Sequence, residues 1–318
     1  MAARHTQASS TGSDSLLPAD GWLRPGRHLF VGLCVLALGL YFSVNAAQLE
    51  RQRDFSERQS QVQRELFDFR ARLETDIYAS VALLRGLAVQ LVLHEGISSS
   101  EFQAIASELR RGQPQILDLS LAPGFVVTEV SPLAGSEQEI GLRLLDDPVQ
   151  KHAVLRAISK DAPVLAGPFE RAQGDTALAV RIPLWVNRDG VPRLWGVVSM
   201  TLDHELMLER AGLRKLEKEL WVDIVGRDAA GPGGGIIRGP RLSAQAKPVK
   251  TPVFLPGGSW LISAVPDEGW YRHTWWRKQS FLLRLVLSVL AGLATARILH
   301  DRLRIRHLAG VDSLTNLP

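Results

Sequence analysis

Few side chains that could do chemistry are grouped by their spacing. The eight histidines are His5, His28, His94, His152, His204, His273, His300 and His307. They include no His-x-x-x-His or Glu-x-x-His pair, the spacing that turns two ligands toward one metal from one helix face. The single cysteine, Cys34, excludes an intrachain disulfide and any zinc site built on paired cysteines. The run Gly231-Pro232-Gly233-Gly234-Gly235 lacks the Gly-Lys-Ser/Thr ending of a phosphate-cradling loop and reads as a flexible surface loop. No Gly-x-Ser-x-Gly elbow presents a nucleophile. Asp146 and Asp147 are adjacent carboxylates, but the Pro148 that follows makes them a helix start rather than an acid/base pair. The residues therefore predict a binding module that needs no metal or cofactor and has no catalytic residue.

What must position a binding site is written in the charge and hydropathy pattern. Lys plus Arg is 37 and Asp plus Glu is 33, a net charge of +4 spread along 318 residues. That balance is too mild for a nucleic-acid binder. A hydrophobic share of 46% against 22% charged excludes a wholly disordered chain. The two ends differ from the middle. Leu29–Leu49 carries no charge and is long enough, at about 20 residues, to cross a hydrocarbon core. Phe281–Leu299 is the second apolar run, with Arg284 and Arg297 able to reach an interface by snorkelling. Trp270, Tyr271, Trp275 and Trp276 precede it as an aromatic belt would. Arg24 and Arg27 before the first run, and Arg302, Arg304 and Arg306 after the second, place both ends in the cytoplasm.

Between the two runs the period changes twice. Phe55, Val62, Leu66, Phe69, Leu73, Ile77, Val81, Leu84, Leu87 and Leu91 recur mostly at three or four residues, with no Pro or Gly from Arg51 to Arg85. This predicts a helix on the order of 60 Å long, ended by Gly96. Its Phe55–Leu73 part precedes any sheet, so it is expected to pair with a second copy. Ser98 with Glu101 is a capping box for a short helix to about Arg111. Strands follow at 116–121 and 125–130, around Pro123-Gly124. A helix then opens at Asp147-Pro148, and further strands are expected at 163–169, 176–185 and 194–202. A helix near 204–213 and strands at 221–225 and 260–265 complete the order, which is α+β rather than an alternating parallel arrangement.

Several stretches resemble the CHASE family of extracytoplasmic sensor domains: VVTEVSPLAGSE at 126–137, DDPVQKHAVLRAISKDAPVLAGPF at 146–169, LAVRIPLW at 178–185 and LWGVVSMTLD at 194–203. The resemblance implies a long N-terminal stalk helix followed by two PAS-like lobes, bracketed by two transmembrane helices, with a small ligand in the membrane-distal lobe. Carried over by position, it implies a pocket from Leu165, Gly167 and Phe169, faced by Asp175 and Thr176. Arg143 stands where related sensors, the plant cytokinin receptors among them, often have an acidic residue. An arginine there donates hydrogen bonds and favours a carboxylate or phosphate ligand over an adenine base. The alternative for Arg143 is a surface salt bridge with Asp146 or Asp147.

The last residues, AGVDSLTNLP at 309–318, resemble the entry of a GGDEF (diguanylate cyclase) domain, without the signature that would bind GTP and metal. The expected organisation is a tail 1–27, a span 28–49 and a stalk 50–97. A distal lobe 98–203, a proximal α+β lobe 204–270, a span 280–299 and a linker 300–318 follow. The expected function is a non-enzymatic input module in a bacterial inner membrane, its sensor in the periplasm. It would be a homodimer through the stalk, binding a small ligand and controlling a diguanylate cyclase that lies outside this chain. The alternatives are the sensor region of a histidine kinase or an anchored binding protein with no enzyme output.

Overall fold

The computed structural model describes residues 26–94, 97–171, 173–271 and 279–309. The expected Gly96 stop, the tail 1–20, the belt residues Trp275 and Trp276 and the motif at 310–318 lie outside the described residues. The chain separates into two compact units, Met1–Arg53 with His273–Pro318, and Asp54–Arg272.

Helix α1 runs unbroken over Arg27–Leu93, and α6 over Gln279–Ala309. Their apolar windows have mean hydropathies of 2.0 and 1.9, so both are long and apolar enough to cross a membrane. Within the first unit they pack through small residues. A Cβ on Gly39 would come within 2.5 Å of Ser288 Oγ, and one on Gly32 within 2.9 Å of Ala296 Cβ. Ser288, Gly292 and Ala296 recur every four residues on α6, so one face of that helix lets a backbone approach closely. Arg284 pairs with Glu50 at 2.9 Å, a partner that hydropathy alone did not supply.

In the second unit the remainder of α1 is the spine. Val62, Leu66, Phe69, Leu73, Ile77, Leu84 and Leu91 are buried in one apolar cluster that continues through both lobes. This corrects the expected dimer stripe. The Phe55–Leu73 segment does not stand clear of the sheets, because the chain returns to cover it. Phe55 lies edge-on to Trp270 at 5.3 Å, Arg70 sits over the Phe254 ring at 4.7 Å, and Glu74 accepts from the Phe254 N–H at 2.6 Å.

The distal lobe opens with α2 (Ser99–Arg111), capped by Ser98 and Glu101 as the capping box predicts. Its sheet contains β1 (Ile116–Pro123), β2 (Glu129–Ser131), β3 (Val164–Glu170), β4 (Thr176–Arg188) and β5 (Val191–Asp203). They pair antiparallel in the order β2-β1-β5-β4-β3. The expected strand over 125–130 shrinks to β2 because the turn after Pro123 runs on through Phe125, whose φ is 66°. Helix α3 (Pro148–Lys160) starts at Asp147, which accepts from the Val149 and Gln150 N–H groups. The β4–β5 hairpin turns at Asp189-Gly190, with φ of 55° and 78°, the positive values that a tight hairpin requires.

Helices α4 (His204–Ala211) and α5 (Leu213–Leu216) lead into the proximal lobe. Its sheet orders β6 (Leu220–Val225), β7 (Ile236–Arg238), β8 (Val249–Leu255) and β9 (Gly258–Pro266) as β7-β6-β9-β8. The glycine run is packed rather than free. A Cβ on Gly234 would lie 2.6 Å from Gly226 Cα, and the Gly226 N–H donates to the Gly235 carbonyl at 2.9 Å. The lobes join along β3, the edge of the distal sheet. There Gly167 N–H donates to Asp228 Oδ1 and Leu165 N–H to the Pro256 carbonyl, each at 2.8 Å.

Candidate ligand-binding site

The two faces of the distal sheet differ in chemistry because strand side chains alternate. On one face, Leu119 and Leu121 of β1, Leu178, Val180 and Leu184 of β4, and Val198, Met200 and Leu202 of β5 join the core against α1. The alternate positions carry Asp118 and Ser120, Ala179 and Arg181, and Ser199 and Thr201. The register puts Asp118 beside Thr201, and Thr201 beside Ala179. One rung on, Ser120 is beside Ser199, and Ser199 beside Arg181. Hence the second face presents two polar rungs inside a sheet. It is covered by α3 and by the segment between β2 and α3, which turns through a short 3-10 stretch at Glu137–Glu139.

A cavity of about 240 Å³ lies between that face and its cover. Ser120, Arg181, Ser199 and Thr201 line it from the sheet, Gln150 from α3, Glu139 from the 3-10 turn, and Phe169 and Arg171 from the end of β3. Val127, Leu142 and Leu144 supply apolar wall.

The charges are arranged unevenly. Arg171 is neutralised by two carboxylates, Asp118 at 3.2 Å and Asp175 at 3.1 Å. Arg181 is 4% exposed, and its partners are neutral: the Ser199 hydroxyl at 3.4 Å and the Gln150 side-chain carbonyl. Its Nε and one oxygen of Asp118 have no hydrogen-bond partner. Leaving such buried groups unsatisfied is costly. Burial lowers the Arg181 guanidinium to about 10, with Asp147, Asp118 and Glu139 opposing. Burial also raises Asp118, against a hydrogen bond from Thr201 and the fields of Arg171, Arg110 and Arg181. Burial, and then the neighbouring charge of Asp118, lifts Glu139 to about 7, with Arg171 and Arg181 opposing.

The residues anticipated from sequence are only partly gathered here. Phe169 lines the cavity, and Asp175 reaches it through Arg171. Leu165 is fully buried on the opposite, α1-facing side. Gly167, at φ 97°, forms the bulge of β3 and bonds Asp228. Thr176 pairs with Glu170 at the strand end. Arg143 is outside: its side chain is 71% exposed and pairs with Asp146 at 2.7 Å. Leu142 and Leu144, on either side of it, point inward, which turns Arg143 to solvent. The surface-bridge alternative is therefore the one the geometry adopts.

Sequence reasoning missed Asp118, Glu139, Arg171 and Arg181. A signal existed for two of them, Asp118 and Arg181. Asp118, Ser120, Arg181, Ser199 and Thr201 interrupt strands whose other members are apolar, always at the same parity. Glu139 had none, since its strand-free segment gives no period. Among the described residues no group of three His, Cys, Asp or Glu side chains could hold a metal ion.

Residues 36–236 match the CHASE domain family. No curated protein matches the chain significantly. Among solved structures, the ligand-binding domain of the Pseudomonas aeruginosa PAO1 amino acid chemoreceptor PctC, in complex with GABA, is 18% identical with a TM-score of 0.45, covering 62% of this chain and 94% of its own. That of the chemoreceptor PctB from the same organism, in complex with L-Arg, is 17% identical with a TM-score of 0.48, covering 65% and 94%. The sensory domain of the Campylobacter jejuni chemoreceptor Tlp3 is 10% identical with a TM-score of 0.41, covering 75% and 98%.

Proposed function

The chain belongs to the CHASE domain family, and from that premise we propose that it is the input module of a bacterial inner-membrane receptor, with its two lobes in the periplasm. The observation that carries the reading is the distal cavity, lined by a buried arginine whose Nε keeps no hydrogen-bond partner. A sheet that spends buried positions on charge loses stability by it, so the polar rungs serve recognition of a small molecule. The two membrane-length helices flank the lobes, which suits a sensor that reports across a bilayer. The chain itself is a binding module without catalysis.

The output is a diguanylate cyclase that lies outside this chain, the domain whose entry the segment at 309–318 resembles. Two copies act together, because two GTP-bearing cyclase domains must face each other. Ligand shifts the balance between two arrangements of the paired linkers, and its differential affinity for them sets how far that balance moves. Inserting one to four residues after Leu303 rotates the output by about 100° per residue. In the full-length receptor, cyclase activity should rise and fall with insertion length. Activity indifferent to insertion length, or no cyclase activity, would overturn this output.

A further inference from the structure

We propose that the distal cavity receives a small zwitterion, an amino-carboxylate whose carboxylate lies on Arg181 and whose ammonium lies against Glu139. This rests on the reading of that cavity as the sensor's ligand site, and it names the ligand's chemistry. Of the two arginines at the cavity, Arg171 already holds two carboxylates, whereas Arg181 holds only a hydroxyl and an amide and keeps a free Nε–H. A guanidinium is a planar fork of donors, and its matching acceptor is a carboxylate. Glu139 lines the same cavity from the 3-10 turn, and the charge of nearby Asp118 adds to burial in disfavouring its ionised form. A cationic donor beside Glu139 relieves that repulsion. An anion without an amine would leave that repulsion in place, and an amine without a carboxylate would leave Arg181 unmet.

Size agrees with this class. Some 240 Å³ is the share of about eight water molecules, room for an amino acid of modest side chain. Val127, Leu142, Leu144 and Phe169 receive its apolar part.

A proton accompanies the event. Glu139 titrates near 7, raised by burial and by Asp118 and opposed by Arg171 and Arg181. Asp147 and Glu170 are the other charged groups of the cavity wall. To accept the ammonium, Glu139 must be ionised. Below pH 7 binding therefore sends the carboxyl proton to solvent while the ligand amine keeps its own. Affinity rises with pH, approaching tenfold per unit below pH 7 and levelling off above it.

The test is calorimetry on the full chain in lipid nanodiscs, with glycine, L-alanine, L-glutamine and γ-aminobutyrate as probes. Butyrate and butylamine are the single-charge controls. At least one zwitterion should bind, with both controls tenfold weaker or more. Arg181→Gln should lose tenfold or more, and so should Gln150→Glu, which keeps the arginine but neutralises it in place. Glu139→Gln should remove the pH dependence between 6 and 8. Equal binding by a single-charge control, or a pH dependence that survives Glu139→Gln, overturns the proposal. If no zwitterion binds, but native mass spectrometry finds a metabolite retained by the wild type and lost in Gln150→Glu, the cavity is the sensor's site and the zwitterion is wrong. If no zwitterion binds and no metabolite is retained, both readings fall.

Discussion

Glu139 lines the distal cavity, and Asp118 is near enough to act on its charge. Each is a carboxyl whose folded environment disfavours its charge. The folded state therefore holds more protons than the unfolded chain between the ordinary carboxylate range and pH 7, and stability falls as pH rises through that window. For Glu139 the window runs from 4.5 to about 7. After discounting for its partial exposure, the effect is on the order of 1 kcal/mol. Glu139→Gln, which mimics the protonated acid, should match the wild type in thermal unfolding at pH 5 and exceed it at pH 8. Equal midpoints at pH 8 would mean that Glu139 is not held against its charge. Buried His204 titrates in the opposite sense, since burial lowers it and its contribution is lost as pH falls. It is common to both proteins and cancels in the comparison.

At the scale of elements, α1 has one face spent and one face free. The buried stripe from Val62 to Leu91 belongs to its own lobes. On the other side Phe67, Tyr78 and Val89 are 60%, 47% and 55% exposed and stand eleven residues apart, three turns of helix. On the proposed reading as a paired membrane receptor, two copies would hold their α1 helices parallel, with this exposed face turned toward the partner. Cysteines at 67, 78 and 89 should crosslink between copies, whereas cysteines at 66, 73 and 84 should not. Crosslinking without regard to position would remove α1 from the dimer contact.

For the whole molecule, one membrane-length helix before the lobes in sequence and one after them make the proposed topology testable. Both termini should lie in the cytoplasm and the hairpin turn at Gly190 outside it. Reporter fusions at Gly190 and at Pro318 should read opposite compartments, and a shared compartment would exclude a two-span receptor. Within Asp54–Arg272 the chain closes on itself: β3 donates bonds to the proximal lobe from the Gly167 and Leu165 N–H groups, and just beyond, it lines the cavity at Phe169 and Glu170. The strand that lines the distal cavity is thus also the strand that bonds the second lobe.

The sequence by itself determined what depends on near neighbours along the chain. The stalk came from a run of apolar residues at helical spacing, α2 from Ser98 and Glu101, and the start of α3 from Asp147-Pro148, because a helix period and a cap are each set within a few residues. Strands β7 and β8 went unread, the one short and the other carrying a proline. The cavity was decided only in three dimensions. Asp118, Arg171 and Arg181 are far apart in sequence and meet because β5 inserts between β1 and β4, while Glu139 arrives on a segment with no period. Arg143 was misplaced for the same reason: whether a side chain points in or out depends on the parity of its neighbours against a partner segment, here Val126 bridging Arg143, and that pairing is fixed by tertiary contact.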